Sequence, residues 1–130
     1  MKHFILILFF LSSLFSFEWP SDYEEAISQA KVEKKGVYVF VGSAYCGFCE
    51  KLKKTTFADP EVLEKLKKEY VVIYLSKDID DIPSHLNITF YPAHYFLDSN
   101  GKIIHSTAGY RGKKCFLELL KEIKELESMW

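Results

Sequence analysis

Two cysteines separated by two residues follow a short apolar run, and this junction constrains the fold more than any other feature. The run over residues 37–41 is continuous and rich in β-branched side chains, as expected of a strand buried on both faces. Cys46-Gly47-Phe48-Cys49 follows and opens a stretch with helical character. The first sulfur should therefore lie at a helix N-terminus, where unpaired N–H groups favour a thiolate. The second lies one turn further on, within reach of a disulfide.

Helical and strand patterns alternate along the rest of the chain. Ser21 and Glu24 form a capping box that predicts a helix start at Ser21, and Gly36 is expected to end this helix. Asp59 and Pro60 predict another start, with Asp59 as N-cap. Further helices are predicted from the cysteine pair to about residue 56, around residues 83–86 and over residues 116–126, and strands over residues 37–41, 71–75, 93–97 and 102–107.

This order of elements predicts an α/β fold. Strands separated by helices are expected to pair in parallel through right-handed crossovers. Residues 98–101, with the sequence DSNG, are typical of a hairpin turn, so the last two strands must be antiparallel. We therefore expect a four-stranded mixed β-sheet with helices on both faces. The 130-residue chain has room for one such domain, which we assign to residues 17–130.

The first sixteen residues have a different character. Lys2 precedes an unbroken apolar run over residues 4–11, and small and apolar residues then lead to Ser16. This pattern predicts a secretory signal peptide over residues 1–16 and hence export of the remaining chain. Because the apolar run is shorter than the roughly 20 residues of a membrane span, an uncleaved N-terminal anchor is the less favoured alternative.

Charge and cysteine content exclude several classes of function. The net charge is −1 with both signs interspersed, which is unlike the basic footprint of a nucleic-acid-binding protein. The chain has three cysteines. Cys46 and Cys49 are expected to form a disulfide, so Cys115 is expected to be a free thiol. No metal is expected, since a zinc site would need Cys115 and a histidine to join the pair, from His85, His94 or His105. A dithiol that handles Cu(I) stays an alternative.

The chain resembles the thioredoxin-fold superfamily over residues 22–127. The segments that carry the resemblance are SAYCGFC at residues 43–49, TFADP at 56–60, FYPAHYFLD at 90–98, NGK at 100–102 and Gly109-Tyr110. A lone Cys-x-x-Cys is a weak signal, but one followed about 43 residues later by a proline at a strand start is much stronger. The TFADP segment is most similar to periplasmic thioredoxin-like domains and to the soluble electron-carrying domain of transmembrane thiol–disulfide transporters.

The resemblance implies a thiol–disulfide oxidoreductase that needs no cofactor beyond the redox-active Cys46–Cys49 disulfide. Cys46 is then the nucleophile and Cys49 the resolving cysteine. Pro92 matches the family's cis-proline, and the backbone of Tyr91 is expected to pair with an extended substrate segment. The substrate surface would also include the residues around the first cysteine, namely Tyr45, Gly47 and Phe48.

The same resemblance implies partners and a location. We expect a periplasmic monomer whose substrates are protein thiols or disulfides and whose electron donor is a membrane thiol–disulfide protein. Only residues 76–89 separate the middle strands, which leaves no room for the helical insert of the periplasmic oxidants that resemble this fold. A reductant or electron carrier is therefore predicted. A periplasmic dithiol oxidant and a non-catalytic peptide-binding module remain alternatives.

The chain departs from the family at several positions. Phe40 occupies the strand position where many thioredoxins bury an aspartate that accepts a proton from the second cysteine, so Glu50 or water is the expected substitute. Three further positions differ from the usual residues of the family: Tyr45 replaces Trp, Phe48 replaces Pro and Ala93 replaces Thr.

Two further side chains carry expectations of their own. Cys115 is expected to be buried on the apolar face of the last helix, with a regulatory thiol as the alternative. His94 is expected to point away from the sulfurs, with a role in proton transfer as the alternative.

Overall fold

The structure is a computed structural model that describes residues 17–129. The predicted signal peptide at residues 1–16 lies outside the described residues. The described chain forms four helices and four strands, with a 3₁₀ turn at Thr56–Ala58 between the second and third helices. In chain order the elements are α1 Tyr23–Glu33, β1 Gly36–Gly42, α2 Gly47–Lys54, α3 Pro60–Glu69, β2 Tyr70–Ser76, β3 Ala93–Leu97, β4 Ile103–Ala108 and α4 Lys113–Ser128.

The four strands form one mixed sheet in the order β2-β1-β3-β4. β1 is parallel to β2 and antiparallel to β3, and the hairpin of β3 and β4 is antiparallel. The predicted fold class is therefore confirmed, but the expectation that every helix-separated strand pairs in parallel is wrong for β3. A parallel return needs a crossover across the sheet. Residues 77–92 contain no helix, and the predicted helix around residues 83–86 is a turn in which the Leu86 N–H donates to the Pro83 carbonyl.

Side chains of β1 alternate between two apolar layers, as the two-residue period of a strand requires. Val37, Val39 and Val41 pack in the layer that contains the buried residues of α1. Tyr38 and Phe40 pack in an aromatic layer with the buried residues of α2, α3 and α4. Helices thus cover both faces of the sheet, as predicted, and β1 is fully buried at its centre.

The ends of α1 differ from the sequence prediction. Asp22, rather than Ser21, is the N-cap, and its carboxylate accepts the Glu25 N–H at 2.9 Å. The helix ends at Lys34, which has a left-handed backbone with φ of 55°. Gly36 is instead the first residue of β1, where a Cβ atom would lie 2.5 Å from the Leu97 carbonyl oxygen. Glycine is needed there because the neighbouring strand approaches so closely.

Candidate active site

Cys46 and Cys49 form a disulfide at the start of α2, with their Cα atoms 5.2 Å apart. Cys46 is the N-cap of the helix, and its Sγ accepts the Cys49 N–H at 3.1 Å. This is the position predicted from the strand-to-helix junction. A sulfur at an N-cap faces the unpaired N–H groups of the first turn, which stabilise negative charge on it.

The two sulfurs differ in their access to solvent. Cys46 is partly exposed, whereas Cys49 is 0% exposed and packs in the aromatic layer. A thiolate of another protein can therefore reach the first sulfur but not the second. In the reduced form, Cys46 is the side chain that can attack an external disulfide.

Pro92 lies at the same end of β1 as the disulfide. Val41 of β1 pairs with Ala93, which directly follows the buried Pro92. The Tyr91–Pro92 peptide bond is cis, and the Pro92 carbonyl accepts the Gly109 N–H at 2.8 Å. Tyr91 is partly buried between the two apolar layers.

Exposed aromatic side chains lie next to both cysteines in the sequence. Tyr45 is 100% exposed and Phe48 is 61% exposed. The Phe48 ring lies 6.2 Å from the ring of Tyr110, which follows Gly109. Tyr45 and Phe48 were expected in the substrate surface from the sequence, whereas Tyr110 was not, because its only local signal is the Gly109-Tyr110 pair.

Tyr110 is held against α2 by polar contacts. Its hydroxyl is 3.0 Å from the Thr55 hydroxyl, and the Lys51 ammonium lies 4.5 Å from the centre of its ring. The hydrogen bond with Thr55 and the positive charge of Lys51 lower the pKa of Tyr110. Tyr110 therefore connects the turn after β4 to the helix that begins at the disulfide.

His94 is buried in the aromatic layer, and the expectation that it points away from the sulfurs is wrong. It pairs with Phe40 in the register of β1 and β3, and the two rings stack at 6.3 Å. Phe40 belongs to the same buried cluster as Cys49. Since adjacent residues of paired strands share a face, His94 lies on the sheet face that carries the disulfide helix.

Both nitrogens of His94 have hydrogen-bond partners. Nε2 is 2.8 Å from the Gly109 carbonyl oxygen and must donate to it, so Nδ1 accepts the Tyr38 hydroxyl at 2.6 Å. Burial lowers the pKa of His94 to about 4, which keeps the imidazole neutral. The histidine thus fixes Gly109, whose N–H in turn holds the Pro92 carbonyl.

A charged pair lies on the same helix as the buried sulfur. Cys49 and Tyr74 both lie close to Gly42. A Cβ atom added to Gly42 would be 3.3 Å from Cys49 Sγ and 2.7 Å from the Tyr74 hydroxyl, so the two side chains border the same small space. The Lys53 ammonium is 4.2 Å from the centre of the Tyr74 ring and 3.0 Å from the Glu50 carboxylate. Burial lowers the pKa of Lys53, but its hydrogen bonds with Glu50 and Tyr74 outweigh that effect and raise it. The ammonium therefore stays charged.

Cys115 is exposed, so the expectation of a buried thiol is wrong. The buried stripe of α4 consists of Phe116, Leu119 and Ile123, and Cys115 lies one residue, about 100°, away from it. Its Sγ accepts a hydrogen bond from Arg111 at 3.3 Å.

Histidines and cysteines do not converge in the part of the chain that the structure describes. Residues 17–129 contain no group of three or more His, Cys, Asp or Glu side chains placed to hold a metal ion. Nε2 of His85 is 2.9 Å from the Gly101 carbonyl, and His94 is engaged as described above. Within the same residues, no helix is both long and apolar enough to cross a membrane.

The family model described as thioredoxin-like domain matches residues 23–124. An uncharacterised protein of Archaeoglobus fulgidus is 28% identical over 74 residues, which cover 57% of this chain and 56% of that relative. The match thus spans little more than half the length of this curated relative.

Two solved structures show the same fold. A thioredoxin from Thermus thermophilus has a TM-score of 0.69 and 24% identity, covering 84% of this chain and 88% of its own. The C-terminal domain of Neisseria meningitidis DsbD, in its oxidised form, has a TM-score of 0.65 and 18% identity, covering 81% of this chain and 98% of its own.

Proposed function

The chain belongs to the thioredoxin-like domain family, and from this we propose that it is a thiol–disulfide oxidoreductase. The observation that carries the proposal is the unequal exposure of a disulfide at a helix start, with Cys46 accessible and Cys49 buried. A disulfide that closes so small a loop adds little stability by restricting the unfolded chain, so a purely structural role explains it poorly. Cys46 and Cys49 are accordingly the proposed catalytic residues.

In the reducing direction, the reaction proceeds in two exchange steps. The Cys46 thiolate attacks one sulfur of a substrate disulfide, forms a mixed disulfide and releases the other substrate sulfur as a thiolate. Cys49 then loses its proton and attacks Cys46 Sγ, which forms the Cys46–Cys49 disulfide and releases the second substrate thiolate. Two electrons pass from the protein dithiol to the substrate. The Cys49 proton passes to water or to the exposed carboxylate of Glu50, which follows Cys49 in α2.

The proposed substrate surface surrounds the accessible sulfur. Tyr45, Gly47 and Phe48 are exposed and would contact the substrate on the α2 side. On the other side, the backbone of Tyr91 would pair with an extended segment, and Pro92 would pack against the sulfurs. Strand addition suits a reductase of many proteins, because backbone hydrogen bonds do not depend on sequence.

We further propose that the chain is an exported, periplasmic reductant or electron carrier. In this proposal residues 1–16 are the signal peptide and residues 17–130 form the monomeric domain. The TFADP segment at residues 56–60, which is similar to the soluble electron-carrying domain of transmembrane thiol–disulfide transporters, supports a membrane thiol–disulfide protein as the electron donor. Electrons would then pass from this donor through Cys46 and Cys49 to protein disulfides.

Disulfide reduction by the full chain tests the proposed activity. We expect the wild type to reduce insulin with dithiothreitol as electron source and the Cys46→Ser variant to lose this activity completely. The Cys49→Ser variant should accumulate mixed disulfides, because Cys46 can attack but nothing releases the product. Cys115→Ser is the matched control and should behave as wild type. Equal turnover by wild type and Cys46→Ser would refute the proposal.

A redox titration tests the proposed direction of electron flow. A reductant should have a potential of about −200 mV or lower, in the range of glutaredoxins and thioredoxin. The measurement follows the Cys46–Cys49 couple in glutathione buffers by thiol alkylation and mass spectrometry. A value near about −120 mV, that of the strongest periplasmic oxidant, would instead assign the chain to dithiol oxidation.

A further inference from the structure

A groove lies between α3 and α4 and extends from Lys113 at the start of α4 to the strand ends farthest from the disulfide. It has a volume of about 870 Å³ and reaches Gly36 and Tyr70, the first residues of β1 and β2. Cys46 follows the opposite end of β1, and a seven-residue strand is about 20 Å long. The Gly36 and Tyr70 end of the groove therefore lies away from the redox site, and none of the residues that line the groove belongs to that site.

Ion pairs between α3 and α4 bound the groove at both ends. At the helix starts, the Lys113 ammonium lies 3.1 Å from the Asp59 carboxylate and 3.0 Å from that of Glu61. Towards the other end, the Lys124 ammonium lies 3.3 Å from the Glu69 carboxylate. The distance from Lys113 to Lys124 along α4 is about 16 Å, at 1.5 Å per residue. The two helices are thus held side by side with unfilled space between them.

The lining of the groove combines an apolar floor with positive walls. Tyr70, Leu117 and Leu120 supply the apolar side chains. Eight lysines and three glutamates account for the charge of the lining, whereas the rest of the chain has nine basic and fifteen acidic residues. A chain with a net charge of −1 therefore concentrates positive charge in this one groove.

Much of this positive charge is not neutralised. Within residues 17–129, Lys34, Lys68, Lys114 and Lys121 take part in none of the salt bridges. Ammonium groups that share one groove repel each other, and a bound anion relieves that repulsion. An apolar floor that remains open to water likewise gains free energy when hydrocarbon covers it.

We propose that this groove binds a single-chain anionic amphiphile, of the class of fatty-acid carboxylates. The acyl chain would lie on Tyr70, Leu117 and Leu120, and the carboxylate would contact the unpaired lysines. The volume lies within the range of small-molecule pockets, roughly 300–1,000 Å³. The concave shape favours a single molecule over a flat bilayer surface, which cannot enter it. This site is independent of the proposed redox function.

Titration of the full, oxidised chain with dodecanoate below its critical micelle concentration tests the proposal. We expect saturable binding by calorimetry, with NMR amide shifts at Tyr70, Leu117 and Leu120 and none at Cys46. Acetate has the head without the chain, and dodecyltrimethylammonium has the chain with the opposite charge. Acetate and dodecyltrimethylammonium should each bind at least about tenfold more weakly than dodecanoate. Tenfold is the effect of losing one charge-assisted hydrogen bond or a comparable apolar contact.

A charge-removal variant tests the role of the lysines. Replacing Lys68, Lys114 and Lys121 together with glutamine should weaken dodecanoate binding at least about tenfold. The matched control replaces the exposed Lys31, Lys54 and Lys102, which lie outside the groove, and should bind as wild type. If the first variant fails to fold, the wild-type shifts and the two control ligands decide the question.

Three outcomes would overturn the proposal. The first is the absence of saturable dodecanoate binding, and the second is equal binding of the cationic amphiphile. The third is binding of an acidic helical peptide in the groove without binding of dodecanoate, which would assign the groove to a protein partner.

Discussion

Removal of the His94 imidazole is expected to destabilise the protein. The His94→Phe variant leaves the Tyr38 hydroxyl and the Gly109 carbonyl without their buried partner. Each unsatisfied buried group is unfavourable by about 1–3 kcal/mol, so the free energy of unfolding should fall by about 3 kcal/mol. Urea unfolding monitored by circular dichroism measures this change.

The matched control for His94 is Tyr38→Phe. It removes only one of the two hydrogen bonds and leaves the Gly109 contact intact, so its effect should be smaller. A His94→Phe variant that unfolds at the same urea concentration as wild type would contradict the hydrogen-bond assignment.

At the scale of the element, α1 offers a direct test of which residue caps it. Asp22→Ala removes the acceptor of the Glu25 N–H and should lower the free energy of unfolding by about 1 kcal/mol. Ser21→Ala is the matched control, because the sequence pattern names Ser21 as the cap while the structure places it outside the helix. A larger loss in Ser21→Ala than in Asp22→Ala, measured by thermal unfolding, would support the capping box instead.

Also at this scale, the helices and strands were predictable where their signals are local. Asp59 and Pro60 start α3 as expected, and the predicted turn at residues 98–101 lies between β3 and β4. Predictions failed where neighbouring residues give equally good local signals, or where no local signal exists. Ser21 and Asp22 are both good caps, and the choice depends on where α1 packs. The direction of β3 depends on the path of residues 77–92, which carry no regular pattern.

At the scale of the whole molecule, stability should depend on pH through His94. Burial lowers its pKa to about 4 in the folded state, against 6.5 for an unperturbed histidine. The unfolded chain therefore binds this proton first as the pH falls. The contribution is complete above pH 6.5 and is lost progressively towards pH 4, by about 3 kcal/mol in total.

Urea unfolding at several pH values between 4 and 7 measures this dependence. The His94→Gln variant cannot titrate at this position and serves as the control, so its stability should change less over the same interval. Equal slopes for the two proteins would show that other groups govern the loss of stability in acid.

The sequence by itself determined the α/β class, the mixed sheet and the position of the Cys46–Cys49 pair at a helix start. These follow from periodicity, caps and turns, each of which acts over a few residues. Only the tertiary structure decided the contacts of His94, the exposure of Cys115 and the groove between α3 and α4. Those features arise where distant segments meet, and a rotation of about 100° on a helix or one step along a strand decides which side chain is buried.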